Sequence, residues 1–319
     1  MKSKQLSLKT LAQYSHYIIL LVICIAMSLI SNSFLTFSNI ISVLRQSSFL
    51  LVMALGMTFA MVIGRGADMS LGATVAISSC LAAFYLKSRC STPTIIFGFV
   101  FALAIGAAAG AINGSLIAYL RLPALLVTYG MQNILRGVIY SYMEGDVVTN
   151  LHKSVTFLGA GYVGKIPVPI LLAGLMTLLT WFIFRFTTLG RKLLVVGANP
   201  EAARFSGTNS NLVIIAGFSM TGIMAALAGI MYIGRLGTAE AQIGAEFHLN
   251  AIAAAAIGGV SFNGGIVNIG GVVAGSIILS LITNGMNLLN ISSNWQGIVN
   301  GFIIIFAVLV DYFTNRKNR

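Results

Sequence analysis

Residues 17–30 read YIILLVICIAMSLI, a run that is apolar on every face of a helix or strand drawn through it. A membrane β-barrel strand alternates apolar and polar residues over about ten positions, so this run is not a barrel strand. It reads as helix, and a helix that crosses a bilayer needs about 20 apolar residues. Runs of the same kind recur through all 319 residues, of which 57% are hydrophobic and only 8% charged, with a mean hydropathy of +0.93. A soluble domain carries about 25% charged residues. The composition therefore describes an all-α, polytopic integral membrane protein with no room for a soluble catalytic module.

Apolar length and loop signals place about ten spans, near residues 14–36, 48–65, 71–87, 94–120, 123–143, 166–186, 212–234, 248–265, 267–290 and 295–313. The first run follows Lys2, Lys4 and Lys9 but lacks a small-residue cleavage site, so it is read as a retained span and not a signal peptide. The net charge of +12 is scattered through short loops, which points to topology and not to nucleic acid. An even number of spans puts both termini in the cytoplasm. Lys2, Lys4, Lys9, Arg65, Arg121, Arg185, Arg191, Lys192, Arg204, Arg316, Lys317 and Arg319 then lie inside. Arg45, Lys87, Arg89, Arg136, Lys153, Lys165 and Arg235 lie outside, and the excess of basic residues inside agrees with the positive-inside rule. Arg136, near an outer helix end, is expected to snorkel to the interface.

Gly106, Gly110 and Gly114 stand four apart, as do Gly271 and Gly275. Small residues at that spacing let helix backbones approach closely, either within one subunit or across a dimer seam. Residues 64–137 and 240–301 follow a loosely parallel plan of polar loop, short apolar stretch, glycine-rich helix and further apolar helix, as in transporters built from repeats. Gly159-Ala-Gly-Tyr-Val-Gly164-Lys165-Ile166 imitates a phosphate loop, but Ile166 supplies no hydroxyl for magnesium and Pro167 and Pro169 follow at once. Nucleotide binding there is rejected. Cys24, Cys80 and Cys90, like His16, His152 and His248, form no metal-ligand or catalytic pattern.

The longest polar insertion is 187–211, TTLGRKLLVVGANPEAARFSGTNSN. It spells out a short helix: Asn199 as N-cap, Pro200 at the first position, Glu201 against the positive helix end, and Gly207 to end it in the left-handed conformation. Two turns are unstable alone in water. The helix either tidies a solvated connector or docks on a partner.

This interval resembles the coupling loop of ATP-binding-cassette importer permeases, in which a Glu-Ala-Ala stretch followed by glycine seats in the ATPase subunit. The matching residues are Gly190, Arg191, Gly197, Asn199, Glu201, Ala202, Ala203 and Gly207. Further elements are similar, in order, to those of the ribose-type branch. They are Gly64-Arg-Gly-Ala-Asp68-Met-Ser70-Leu-Gly72, Asn113-Gly114, Leu122 to Gly130 with Arg136-Gly137, Glu246 to Ala254, and Gly258-Gly259-Val-Ser261-Phe-Asn263-Gly264-Gly265. Arg65 and Met69 depart from the first element, and Asn250 stands where many relatives carry aspartate.

The resemblance implies one permease domain over residues 1–319 in a bacterial cytoplasmic (inner) membrane, not an enzyme and holding no cofactor of its own. ATP would be bound by a partner ATPase subunit. A second permease subunit, identical or different, would complete the path, and an extracytoplasmic sugar-binding protein would deliver a monosaccharide. Candidates for the pathway are Asp68, Asn113, Thr128, Gln132, Asn263 and Asn284, with Asn133, Asn287, Gln296 and Asn300 as further neutral polar groups. Asp68 also suits an N-cap role, and the amides suit interhelical hydrogen bonds worth about 0.6 kcal/mol each. The alternatives are an ion-coupled secondary transporter, for which seven acidic residues offer few sites, and a permease for branched-chain amino acids.

Overall fold

The computed structural model describes residues 15–87 and 90–292, together with residues 295, 297–299, 301–303 and 305. The expected span 295–313 lies outside the described residues apart from those few positions. Lys2, Lys4, Lys9, Arg89, Gln296, Asn300, Arg316, Lys317 and Arg319 also lie outside them. The first half of the chain forms α1 (Ser15–Ile30), α2 (Phe37–Met61), α3 (Leu71–Ala83), α4 (Thr92–Tyr119), α5 (Ala124–Met143) and α6 (Lys153–Ala160). A hairpin of β1 (Tyr162–Val163) and β2 (Ile166–Pro167) follows. Then come α7 (Val168–Phe186), α8 (Thr188–Ala198), α9 (Pro200–Phe205), α10 (Ser210–Leu236), α11 (Phe247–Ile257) and α12 (Ile269–Leu288).

Among the described residues, α2, α4, α7, α10 and α12 are long and apolar enough to cross a membrane. Helix α10 is the centre of the bundle, packed along α4, α2, α6 and α3. Its approach to α4 is set by glycine. A Cβ at Gly106 would strike the Gly222 carbonyl, one at Gly110 the Phe218 carbonyl, and one at Gly114 would come within 2.6 Å of the Ile215 Cα. That stripe serves packing inside the subunit and not a dimer seam. Gly271 and Gly275 likewise bring α12 against the Gly258 and Ala254 carbonyls of the α11 segment. Helix α7 is peripheral and turns Leu175, Leu178, Trp181 and Phe182 outward, an apolar face suited to lipid.

Three expected boundaries are corrected. Helix α2 begins at Phe37, well before residue 48, although Ser38, Asn39, Ser42, Arg45, Gln46, Ser47 and Ser48 lie in the added stretch. The hydroxyls are satisfied within the helix, Ser42 donating to the Ser38 carbonyl and Ser47 and Ser48 to that of Leu44, while Asn39 exchanges amide hydrogen bonds with the distant Asn284 at 3.1 and 2.8 Å. The expected span 248–265 is the 11-residue α11 followed by a loop, because Gly259, Gly264 and Gly265 take left-handed φ of 83°, 84° and 74°. The interval 187–211 carries α8 as well as the short helix read from its cap.

Helices α3 and α11 are too short to span. At about 1.5 Å per residue, α3 reaches about 20 Å of a hydrocarbon core about 30 Å thick. Every α3 residue but Leu81 is buried. The segments leading into these helices, around 62–70 and 238–246, are non-helical backbone with Asp68, Ser70, Ala239, Ala241 and Ile243 buried, an arrangement tolerated at membrane depth only within protein or beside water.

The bundle has two distinguishable ends. At one, Arg45 donates to the Tyr162 hydroxyl, Lys87 bridges Leu151, Val148 bridges Ala239, and Gly159 packs on Arg235. At the other, Gly64, Gly197 and Asn263 to Gly265 meet. The hairpin at the first end turns through Gly164 at φ 62°. A hairpin is not the strand-to-helix turn that a phosphate loop requires.

Candidate functional site

The end built on Gly64 and Gly197 is organised by the 187–211 interval. Thr187 closes α7 and opens α8 together: its hydroxyl donates to the Ile183 carbonyl at 2.7 Å and accepts from the Gly190 amide at 3.1 Å. A Cβ at Gly190 would strike the Ile183 carbonyl, so glycine lets α8 fold back on α7. Leu193, Val196 and Gly197 are buried, while Arg191 is exposed.

The Asn199 side chain accepts from the Glu201 and Ala202 amides, both at 3.0 Å, with Pro200 in the first turn of α9. Gly207 follows at φ 76°, and the Thr208 amide donates to the Ala203 carbonyl at 3.0 Å. Ala203 holds α9 to the body. Glu201, Ala202, Arg204 and Phe205 face outward. Phe205, the last residue of α9, is 92% exposed. The sequence reading passed over it because one phenylalanine in a glycine-rich loop has no periodicity to mark it.

The root of α9 is wedged into two glycine loops. The Val62 carbonyl accepts from the Gly265 amide at 2.8 Å, and a Cβ at Gly197 would collide with that same carbonyl. A Cβ at Gly264 would lie 2.6 Å from the Gly64 Cα and 2.7 Å from the Gly197 carbonyl oxygen. Three chain-distant segments, around 64, 197 and 264, thus touch through backbone alone. Asn263 lies here, exposed, and not in the interior where a pathway residue was expected.

From Gly64 the chain climbs to the break before α3, where Asp68, Asn113 and Thr128 come together. The Asp68 carboxylate accepts from the Ser70 amide at 2.9 Å and the Ser70 hydroxyl at 2.6 Å, and Asn113 donates to that hydroxyl at 2.9 Å. Asp68 therefore caps the turn leading into α3. Thr128 on α5 accepts from the Met69 amide at 3.0 Å and donates to the Ala124 carbonyl at 2.8 Å. One turn along the same face is Gln132, whose buried Oε1, like the Asn113 Oδ1, has no hydrogen-bond partner among the described residues.

One turn further is Arg136. It does not snorkel: its guanidinium donates to the Ala241 carbonyl at 2.6 Å and the Gly72 carbonyl at 3.4 Å, tying the two interrupted segments together. These segments also meet directly. A Cβ at Gly72 would strike the Gly244 carbonyl and lie 3.4 Å from the Nδ1 of His248, a buried residue of α11. So the N-terminal ends of α3 and α11 converge inside the bundle, from segments that occupy equivalent places in the two halves. Paired interrupted helices in corresponding halves are where transporter folds concentrate their solute contacts. Asn284 stands apart, paired with Asn39 between α12 and α2.

Among the described residues no group of His, Cys, Asp and Glu is placed to hold a metal ion. The site offers hydrogen-bonding amides, hydroxyls and carbonyls around a break in the helices, with the exposed short helix α9 at one end.

The chain is 36% identical over 305 residues to the ribose import permease protein of Escherichia coli (strain K12), covering 94% of each chain. It is 33% identical over 294 residues to the ribose import permease protein of Bacillus subtilis (strain 168), covering 92% of this chain and 90% of that one. It is 31% identical over 311 residues to the galactose/methyl galactoside import permease protein of Escherichia coli (strain K12), covering 92% of each. The family model described as branched-chain amino acid transport system / permease component matches residues 39–308, and the chain belongs to that family of membrane permease components.

Proposed function

We propose that this chain is the membrane-spanning permease subunit of an ATP-binding-cassette importer for a monosaccharide. The relatives' printed substrates are ribose and galactose or methyl galactoside, which favours a sugar over a branched-chain amino acid. The observation that carries the coupling role is α9, capped by Asn199, rooted at Gly197 and presenting Phe205 to a partner. In this reading residues 1–319 form one permease domain of about ten spans in the bacterial inner membrane, with both termini and α9 in the cytoplasm. Arg65, Arg121, Arg185, Arg191, Lys192 and Arg204 then lie on the cytoplasmic side.

ATP binds to a separate ATPase subunit, and the permease needs no cofactor itself. When the ATPase pair closes, it moves α9. Because Gly197 contacts the 62–64 and 264–265 backbone directly, that displacement passes to the loops before α3 and after α11. The first of these loops leads into the break where Asp68, Asn113 and Thr128 are gathered, and α11 links the second to the Arg136 contact at residue 241. A second permease copy or a related chain completes the path, and an extracytoplasmic binding protein supplies the sugar.

The test is purification of the tagged chain from native membranes in mild detergent, with and without replacement of residues 199–207 by a Gly/Ser linker. An ATP-hydrolysing subunit should accompany the natural chain and be lost from the replacement. Well-folded protein free of any ATPase in several detergents would move the assignment to an ion-coupled transporter.

A further inference from the structure

A cavity of about 620 Å³ opens at the end of the bundle that carries Arg45 and Tyr162, between α2, the end of α10, the start of α11 and α12, with Gly297 also on its lining. Its size is within the range of about 300–1,000 Å³ usual for small-molecule sites. None of the pathway candidates read from the sequence lines it.

The walls combine aromatic and polar groups with the aliphatic Leu50, Met53 and Leu279. Phe49, Tyr232 and Phe247 form a chain of edge-on aromatic contacts, with centroids 5.8 Å apart for Phe49 and Tyr232 and 5.0 Å for Tyr232 and Phe247. The lining also holds the amide residues Gln46 and Asn250 and the hydroxyl residues Ser280 and Thr283. At the mouth stand the exposed Arg235, its guanidinium 5.4 Å from the Phe49 ring centre, and the exposed Glu246. The groove on α4 lined by Ala111, Ile112, Ser115, Leu116 and Tyr119 is the contrasting case, nearly all apolar and suited to an acyl chain.

A lipid tail has no use for two amides, two hydroxyls and a charged mouth, since polar groups in hydrocarbon are costly. A sugar ring fits the aromatic and the polar groups alike: its C–H faces pack on aromatic rings and its rim of hydroxyls needs donors and acceptors. We propose that this cavity is a monosaccharide-binding site within each protomer, on the side facing the delivering protein. The assignment rests on the importer reading above and adds where the solute is first held.

The test uses the full chain with its partner subunits in native membranes, with Cys24, Cys80 and Cys90 replaced and Thr283→Cys introduced. The probe is a small, water-soluble, charged methanethiosulfonate added from the outer side. The Thr283→Cys thiol should be modified, and a transported pentose or hexose from a panel should slow modification about tenfold as it fills the site. Adding Asn250→Leu should abolish that protection while the thiol stays reactive. Modification only by a membrane-partitioning N-phenylmaleimide would show an acyl-chain site and overturn the proposal. So would modification at a rate no sugar changes, or no modification by either reagent. Co-purification of the ATPase in the same preparation is scored separately, so a failure of the importer reading is told apart from a failure of this one.

Discussion

The coupling end and the interior break are made from the same part, a helix interrupted at glycine, yet they are assembled differently. At the coupling end the cap, the first turn and the terminating glycine are neighbours in sequence, Asn199 to Gly207, and the element closes on its own hydrogen bonds. At the break the Ser70 hydroxyl accepts from Asn113 of α4, the Met69 amide donates to Thr128 of α5, and Arg136 reaches across to residue 241. The first region is therefore a surface element whose turns close locally and which is held to the body through Ala203 and Gly197. The second exists only while the bundle is packed, which suits a gate whose shape must follow its surroundings. Backbone contacts at Gly197 join them.

If that junction carries the motion, Gly197→Val should have the largest effect. The added side chain collides with the Val62 carbonyl, overpacking of a kind that costs about 1–3 kcal/mol or more. Sugar uptake should fall below detection, and uptake near the natural rate would separate the two regions mechanically. Next is Phe205→Asp, which removes the exposed anchor while touching nothing inside the subunit. A hot-spot loss of about 2 kcal/mol predicts roughly thirtyfold weaker ATPase association, read as the ATPase recovered per tagged chain, with membrane insertion intact.

The break should respond to chemistry more than to size. Asp68→Leu strips the acceptor from the Ser70 amide and hydroxyl, leaving buried donors unpaired at about 1–3 kcal/mol. Thermal stability in detergent should drop, whereas Asp68→Asn, which keeps an acceptor, should stay close to the natural protein. A reversed order would give Asp68 a role through its charge. The smallest effect belongs to Asn199→Ala, which loses the cap of a surface helix worth about 1 kcal/mol. Uptake should fall a few-fold with the assembly preserved, and a complete loss would mean that Asn199 itself touches the ATPase.

The contrast also explains what the sequence disclosed. The spans expected at 94–120 and 123–143 match α4 and α5 within two residues, because an uninterrupted apolar run has one reading in a bilayer. The α9 cap was legible for the same local reason. The early start of α2 was not, since hydroxyls that bond back to their own helix look like loop residues until their partners are known. Arg136 looked like an interfacial cation because the carbonyls that hold it lie in segments far along the chain, at Gly72 and Ala241. Asp68, Asn113 and Thr128 were singled out one by one as polar groups in apolar surroundings. Only tertiary packing shows that they are one cluster, and that Asn263 and Asn284 belong elsewhere.

The most direct measurement is uptake of labelled ribose and galactose into proteoliposomes holding the permease with its native ATPase and binding protein. Uptake should require ATP on the α9 side and binding protein on the other, and vanish with Phe205→Asp. Uptake that runs on an ion gradient without nucleotide would contradict the account.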